Sequence, residues 1–137
     1  MADSFAPQGI VASQYKVMVL DDIPVNTRLL EKILEKEGFQ LFIFNNSIQA
    51  LDAIQRIHPD ILLLDMMMPG IDGPTFLKNI RSSDAFDSTR VIMVTAVSEA
   101  EEMAKMADIG ANGYVTKPIN ARTLVNTIYE QIQQLHK

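Results

Sequence analysis

The feature that most constrains the fold is an alternation of two kinds of segment. Short, continuous apolar runs are separated by longer segments whose apolar residues recur every three or four positions, as on one face of a helix. The apolar runs are Lys16–Asp21, Gln40–Phe44, Ile61–Asp65, Arg90–Thr95 and Asn112–Thr116. A strand that is apolar throughout is typical of a parallel sheet covered on both faces. The pattern therefore predicts an α/β domain with five parallel strands.

Five helices are expected between and after these strands. The first runs from Pro24 to about Gly38, and the second starts at Ser47 and is ended by Pro59. The third starts near Pro74, and the fourth is a polar helix over Ser98–Gly110. The last presents Leu124, Ile128, Ile132 and Leu135 on one face. With right-handed crossovers, the common arrangement is the flavodoxin-like strand order 2-1-3-4-5 with helices on both faces.

Length and composition limit the function classes. The 137 residues suffice for one compact domain, which we expect over 15–137, after a flexible lead-in at 1–14. The net charge of −5 argues against direct binding to nucleic acid or to an anionic membrane. The absence of cysteine excludes a thiolate metal site and is compatible with a cytoplasmic location. No apolar run approaches the length of a membrane span.

Polar side chains stand at the carboxyl ends of four predicted strands. They are Asp21, Asp22, Asp65, Thr95 and Lys117. Taken singly, each has an ordinary interpretation as a helix cap, a turn residue or a solvated charge. Parallel sheets bind ligands at this edge, near the reversal of strand order. We therefore expect the five residues to form one site, because a buried strand that ends in an unpaired carboxylate would be costly.

The motifs around these positions resemble the receiver domain of two-component response regulators, the CheY-like family. The matching segments are "VLDD" (Val19–Asp22), "LLLDMMMPGIDG" (Leu62–Gly73), "VTA" (Val94–Ala96) and "YVTKP" (Tyr114–Pro118). The resemblance extends over nearly the whole chain, from about Tyr15 to Leu135. Together these motifs are very specific, although the acidic pair alone would be a weak signal.

The resemblance implies a phosphoacceptor and a metal site. Asp65 matches the phosphoacceptor, and Asp21 and Asp22 match the acidic pair that holds Mg²⁺ or another divalent cation such as Mn²⁺. Met67 matches the position whose backbone carbonyl completes the metal site, so its side chain is not constrained there. Mg²⁺ prefers hard oxygen ligands, which fits a site built from carboxylates and a carbonyl.

The resemblance also assigns residues that respond to the phosphoryl group. Thr95 matches the switch hydroxyl, Lys117 the lysine that neutralises phosphate charge, and Tyr114 the switch aromatic. The bond between Lys117 and Pro118 is expected to be cis. Met67 and Val97 match the two positions that flank the path of the water that removes the phosphoryl group.

The implied function is phosphorelay signal transduction. A sensor histidine kinase or a histidine phosphotransfer protein would pass a phosphoryl group to Asp65, and the face formed by helix 4, strand 5 and helix 5 would change its preference for an unidentified output partner. Such a phosphoprotein is a switch rather than an enzyme, because it catalyses only its own phosphorylation and dephosphorylation.

Other classes fit the sequence less well. A flavodoxin would need to receive a phosphate where Asp21 and Asp22 stand, and a nicotinamide-binding domain would need a glycine-rich motif after the first strand. A phosphatase of the haloacid dehalogenase type carries a second aspartate two residues after its nucleophile, where this chain has Met67. The main alternative is a receiver-like interaction module that works without phosphorylation.

Overall fold

The computed structural model describes residues 5–96 and 99–136 of the chain. The strands are β1 (Lys16–Leu20), β2 (Gln40–Phe44), β3 (Ile61–Asp65), β4 (Arg90–Thr95) and β5 (Gly113–Thr116). The helices are α1 (Pro24–Glu35), α2 (Ser47–Ile57), α3 (Gly73–Arg81), α4 (Ala100–Ile109) and α5 (Ala121–Gln134). Short 3-10 turns lie at Ala12–Gln14 and Asp84–Phe86.

The strands form one parallel sheet in the order β2-β1-β3-β4-β5. This confirms the predicted α/β class and the predicted strand order. The pairing register brings the carboxyl ends together, because Leu20 lies beside Leu64, Asp65 beside Val94 and Thr95 beside Thr116. Residues that follow these strands therefore emerge at one edge of the sheet.

The core lies in two layers, one on each face of the sheet. Successive side chains of a strand point to opposite faces. In β1, Val17 and Val19 join the layer under α1 and α5, whereas Met18 and Leu20 join the layer under α2 and α3. Both faces are covered, which explains why β1, β3 and β4 are apolar almost throughout.

Most element boundaries agree with the pattern in the sequence. The bounds of β2 and β4 are as expected. Strand β1 ends one residue early, at Leu20, and the carboxylate of the next residue, Asp21, accepts from the backbone N–H of Ile23. Helix α1 ends at Glu35, and Gly38, with a φ of 92°, continues the turn into β2. Helix α4 begins at Ala100, and the expected start at Ser98 lies outside the described residues.

The segment before β1 contacts the domain. Ala12 is buried in the layer under α1 and α5, and Ala6 and Ile10 pack against the same layer. The domain boundary at residue 15 stays a prediction. Among the described residues, no helix combines the length and the apolarity that crossing a bilayer requires.

Candidate functional site

Asp21 is held rigidly at the point where β1 turns into α1. The residue is 1% exposed, and its carboxylate accepts hydrogen bonds from the Ile23 N–H at 2.9 Å and from the Asn26 side-chain amide at 3.1 Å. One donor comes from the turn and the other from the first turn of α1. The orientation of the carboxylate is therefore set by one backbone donor and one side-chain donor that follow it closely in the chain.

Asp65 ends a strand in which every residue is buried, and it is itself 4% exposed. The ammonium of Lys117 lies 3.1 Å from Asp65 Oδ1 and 3.4 Å from Asp21 Oδ2. A buried carboxylate is tolerated when it is paired and hydrogen-bonded, and Asp65 is both.

Burial and like charge act on the acid–base behaviour of this pair. Burial raises the pKa of Asp65 above its ordinary value, and the nearby Asp21 adds to the rise despite the opposing hydrogen bond from Lys117. Burial by itself would lower the pKa of Lys117. The hydrogen bond to Asp65 and the charge of Asp21 outweigh that effect and raise it. Lys117 is therefore fully charged at neutral pH.

Three carboxylates meet at this edge of the sheet. One ligand oxygen from each of Asp21, Asp22 and Asp65 lies within 4.8 Å of the others. An all-oxygen, anionic donor set of this kind fits a hard divalent cation. Met67, two residues after Asp65, is 74% exposed, so its side chain does not fill the cluster.

Thr95 and Lys117 are joined through the backbone. Thr95 ends β4 and is 2% exposed, and its carbonyl accepts from the Lys117 N–H at 2.8 Å. The peptide bond between Lys117 and Pro118 is cis, as expected. The ends of β4 and β5 thus place the threonine beside the loop that carries the lysine.

Tyr114 lies in β5 and reaches toward α4. Its hydroxyl donates to the carbonyl of Met103, in the middle of α4. The ring is half-buried, and burial raises the pKa of the phenol above its ordinary value. The tyrosine therefore ties β5 to α4, with its hydroxyl hydrogen-bonded to the helix backbone.

Two residues that support the site were missed in the sequence analysis. The side-chain amide of Asn26 donates to the carboxylate of Asp21. The signal in the sequence was the position of Asn26 in the first helical turn after the "DDIP" segment. A Cβ atom at Gly73 would lie 2.3 Å from the carbonyl oxygen of Asp65 and 2.9 Å from the Met66 Cα. Only glycine fits this close approach. The signal in the sequence was the final glycine of the "PGIDG" segment.

Residues 17–129 match the sequence model of a protein family, the response regulator receiver domain. Sporulation initiation phosphotransferase F of Bacillus subtilis is 36% identical over 105 residues, which cover 77% of this chain and 83% of that protein. Chemotaxis protein CheY-3 of Vibrio cholerae is 30% identical over 129 residues, which cover 91% and 99%. The DNA-binding response regulator MtrA of Mycolicibacterium smegmatis is 29% identical, and this chain spans only 51% of its length.

Solved structures give the same result. The chemotaxis protein CheY4 of Vibrio cholerae superposes with a TM-score of 0.80 at 26% identity, covering 85% of this chain and 97% of that chain. A response regulator described as putative, from Chloroflexus aurantiacus, superposes with a TM-score of 0.82 at 27% identity, covering 90% and 98%.

Proposed function

Because this chain belongs to the response regulator receiver domains of two-component signalling systems, which accept a phosphoryl group on an aspartate, we propose that Asp65 is its phosphoacceptor. The observation that carries the proposal is the position of Asp65. It ends a buried strand, lies 3.1 Å from the ammonium of Lys117 and shares its edge of the sheet with two further carboxylates. The strand holds the nucleophile in place, and the lysine supplies positive charge where a phosphoryl group would arrive.

The same cluster is proposed to hold a divalent cation. The carboxylates of Asp21, Asp22 and Asp65 and the backbone carbonyl of Met67 would be its protein ligands, and Mg²⁺ is the preferred ion, with Mn²⁺ as a substitute. When bound, the cation would neutralise charge on the phosphoryl oxygens and on the carboxylates. The proposal is supported by the all-oxygen chemistry of the three side chains.

Transfer would proceed by in-line displacement at phosphorus. A carboxylate oxygen of Asp65 would form the new P–O bond while the P–N bond of a donor phosphohistidine breaks, and the electron pair of that bond would return to the imidazole nitrogen. Lys117 would pair with the phosphoryl oxygens, since its ammonium already lies beside Asp65. The product is an acyl phosphate on Asp65.

The response to phosphorylation is proposed to involve Thr95 and Tyr114. The hydroxyl of Thr95 would donate to a phosphoryl oxygen, and Tyr114 would move inward as that hydroxyl shifts. Since the Tyr114 hydroxyl donates to Met103 in α4, its movement would alter the contact between β5 and α4. The face formed by α4, β5 and α5 would then present a different surface to its output partner.

The proposed donor is a sensor histidine kinase or a histidine phosphotransfer protein, and the proposed location is the cytoplasm. The relatives differ in output, since they include a phosphotransferase, a chemotaxis protein and a DNA-binding regulator of whose length this chain spans 51%. The chemical activity is confined to the domain's own phosphorylation and dephosphorylation.

Intact mass spectrometry after treatment with acetyl phosphate and Mg²⁺ tests the proposal. The parent chain should gain about 80 Da, the mass of one phosphoryl group on one nucleophile. Asp65→Asn should gain nothing. Asp60→Asn is the matched control, because Asp60 immediately precedes the same strand and its carboxylate accepts the Lys16 N–H at 2.8 Å. A parent chain that gains no mass would favour the phosphorylation-independent interaction module.

A further inference from the structure

Residues 5–14, called the strap below, lie outside the segment that the family model matches, which begins at residue 17. They nevertheless contact the folded domain. Ala12 is buried, and Ala6 and Ile10 pack against the layer that contains Leu34 and Tyr129. The strap therefore covers apolar surface that belongs to α1 and α5.

A buried carboxylate anchors the amino end of the strap. Glu37, just after α1, is 8% exposed. Its Oε1 accepts from the backbone N–H of Phe5 at 3.1 Å and from the Tyr129 hydroxyl at 2.8 Å. One oxygen thus joins the strap to α5 and to the end of α1. Because a buried charge needs donors, losing either one would cost free energy.

Further contacts fix the strap along its length. The guanidinium of Arg122 lies 5.7 Å from the centre of the Phe5 ring, within the range of a cation–π interaction. The side-chain amide of Gln40 donates to the Ser13 carbonyl at 2.8 Å. Between these points the chain turns at Gly9, which has a φ of 87°, and the Ile10 N–H donates to the Pro7 carbonyl.

We propose that the strap permanently occupies a groove between α1 and α5, and that the hydrogen bonds to Glu37 hold it there. Glu37 is called the latch in this sense. The end of that groove near Lys117 stays open as a cavity of about 170 Å³, whose apolar lining includes Leu29 and Ile119. A partner that approaches the α1–α5 side contacts the strap over the part of the groove that lies away from Lys117. The amino-terminal half of α1 keeps apolar residues available to such a partner, since Val25 and Leu29 are exposed. On this proposal residues 5–14 belong to the folded domain and not to the flexible lead-in expected at 1–14.

Amide hydrogen exchange on the full-length chain, followed by NMR, tests the strap. The N–H groups of Phe5 and Ile10 should exchange at least about tenfold more slowly than in a synthetic peptide of residues 1–16. Exchange rates equal to those of the peptide would overturn the proposal. This readout needs no phosphorylation, so its outcome is independent of the role proposed for Asp65.

Variants of Glu37 test the latch. Glu37→Ala removes the acceptor and should reduce the protection of the Phe5 N–H about tenfold, the order expected for one hydrogen bond to a charged group. Glu37→Gln keeps an acceptor oxygen and should retain most of the protection. Glu35→Ala, at an exposed position in the last turn of α1, is the matched control and should change nothing.

A variant of the second donor to Glu37 provides a test that does not depend on whether Glu37→Ala folds. Tyr129→Phe removes only the hydroxyl that shares the Glu37 oxygen, so it tests the latch if Glu37→Ala fails to fold. It should increase exchange at Phe5 while the Leu63 N–H in the central strand stays protected. Unchanged exchange at Phe5 in both Glu37→Ala and Tyr129→Phe would overturn the assignment of Glu37 as the latch.

Discussion

The ammonium of Lys117 lies 3.1 Å from the carboxylate of Asp65. Asp65 ends β3 and Lys117 follows β5, and these two strands are not neighbours in the sheet. Strand β4 lies between β3 and β5, so the lysine reaches across the end of β4, past Thr95. The same ammonium also serves Asp21, at 3.4 Å. One positive charge thus faces three clustered carboxylates, and the excess negative charge favours the expected cation. Burial, with a smaller contribution from the charge of Asp21, raises the pKa of Asp65.

The first prediction concerns the stability of the metal-free protein. Asp65→Asn should raise the free energy of unfolding at neutral pH by about 1 kcal/mol when Mg²⁺ is absent, a usual size for a single substitution. The reason is that burial and Asp21 both disfavour the charged form of Asp65, while Lys117 keeps Asp21 as a partner after the change. Urea denaturation in EDTA measures the difference.

The control for this prediction is Asp60→Asn. Asp60 accepts from the Lys16 N–H at the opposite edge of the sheet, so removing its charge should bring no gain. If Asp65→Asn is less stable than the parent in EDTA, the balance of charges described for the site is wrong.

The second prediction separates a metal ligand from a charge partner. Asp22→Ala should weaken Mg²⁺ binding more than Lys117→Ala does, because only the aspartate supplies an oxygen ligand. For the parent, Mg²⁺ at about one hundred times its dissociation constant should add about 2.7 kcal/mol to the free energy of unfolding. Isothermal titration calorimetry gives the affinities, and equal losses in the two variants would contradict the assignment of Asp22.

Much of the fold could be predicted because its signals are local. The continuous apolar run of β3 and the helical spacing in α5 each specify an element, and right-handed crossovers then leave few strand orders. The residues at the strand ends followed from that order. The family resemblance supplied the roles that spacing alone left open, such as those of Thr95 and Tyr114.

What escaped prediction depends on contacts distant in sequence. Arg81 donates to the carbonyls of Phe86, Thr89 and Gly110 and to the side chain of Asn112, which joins the end of α3 to the loop before β5. Asn112 also accepts from the Val91 N–H through its side chain, and β5 begins one residue later than expected, at Gly113. No local pattern marks such partners, because the arginine resembles any solvated helix residue.

The third prediction concerns the close approach at Gly73. Gly73→Ala should destabilise the protein by about 1–3 kcal/mol, since its Cβ would lie 2.3 Å from the Asp65 carbonyl oxygen and the backbone must shift. The shift should also displace Asp65 and slow phosphorylation by acetyl phosphate. Mass spectrometry measures the rate.

Gly38→Ala is the matched control for this substitution. Its φ of 92° makes alanine strained, yet a Cβ there meets nothing within 4 Å. It should therefore lose stability without a change in phosphorylation rate. Equal rates for Gly73→Ala and the parent would show that the site tolerates the shift.

The fourth prediction gives a pH dependence for the amino terminus of α3. Asp72 caps the helix by accepting from the Thr75 N–H at 2.8 Å, and its hydrogen bonds with Thr75 lower the pKa of Asp72 below its ordinary value. A lowered pKa stabilises the fold above the unfolded-state pKa, and this stabilisation disappears as the pH falls through the folded-state pKa.

Asp72→Ala should accordingly cost about 1 kcal/mol at neutral pH, the usual value of an N-cap. The difference from the parent should shrink as the pH falls through the folded-state pKa of Asp72, which lies below its ordinary value. Asp72→Asn keeps an oxygen acceptor that does not titrate, so it should cost less than Asp72→Ala, and its difference from the parent should shrink over the same pH range because only the parent carries the titrating group. Urea denaturation across this range measures both, and differences from the parent that stay constant as the pH falls would contradict the role of the charge.

The last prediction concerns the lifetime of the phosphoryl group. Met67 follows Asp65 by two residues and is 74% exposed. Val97, the other position matched to the water path, lies outside the described residues. Neither methionine nor valine can usefully hydrogen-bond a water, and both can shield an acyl phosphate by bulk. We therefore expect slow self-dephosphorylation in the parent and faster loss in Met67→Asn, with a further increase in the Met67→Asn, Val97→Glu double variant.

Met67→Leu keeps an apolar side chain and should match the parent. After the donor is removed, the decay of the species about 80 Da heavier gives each rate. If the double variant loses the phosphoryl group no faster than Met67→Leu, these side chains only fill the rim and do not control access of water.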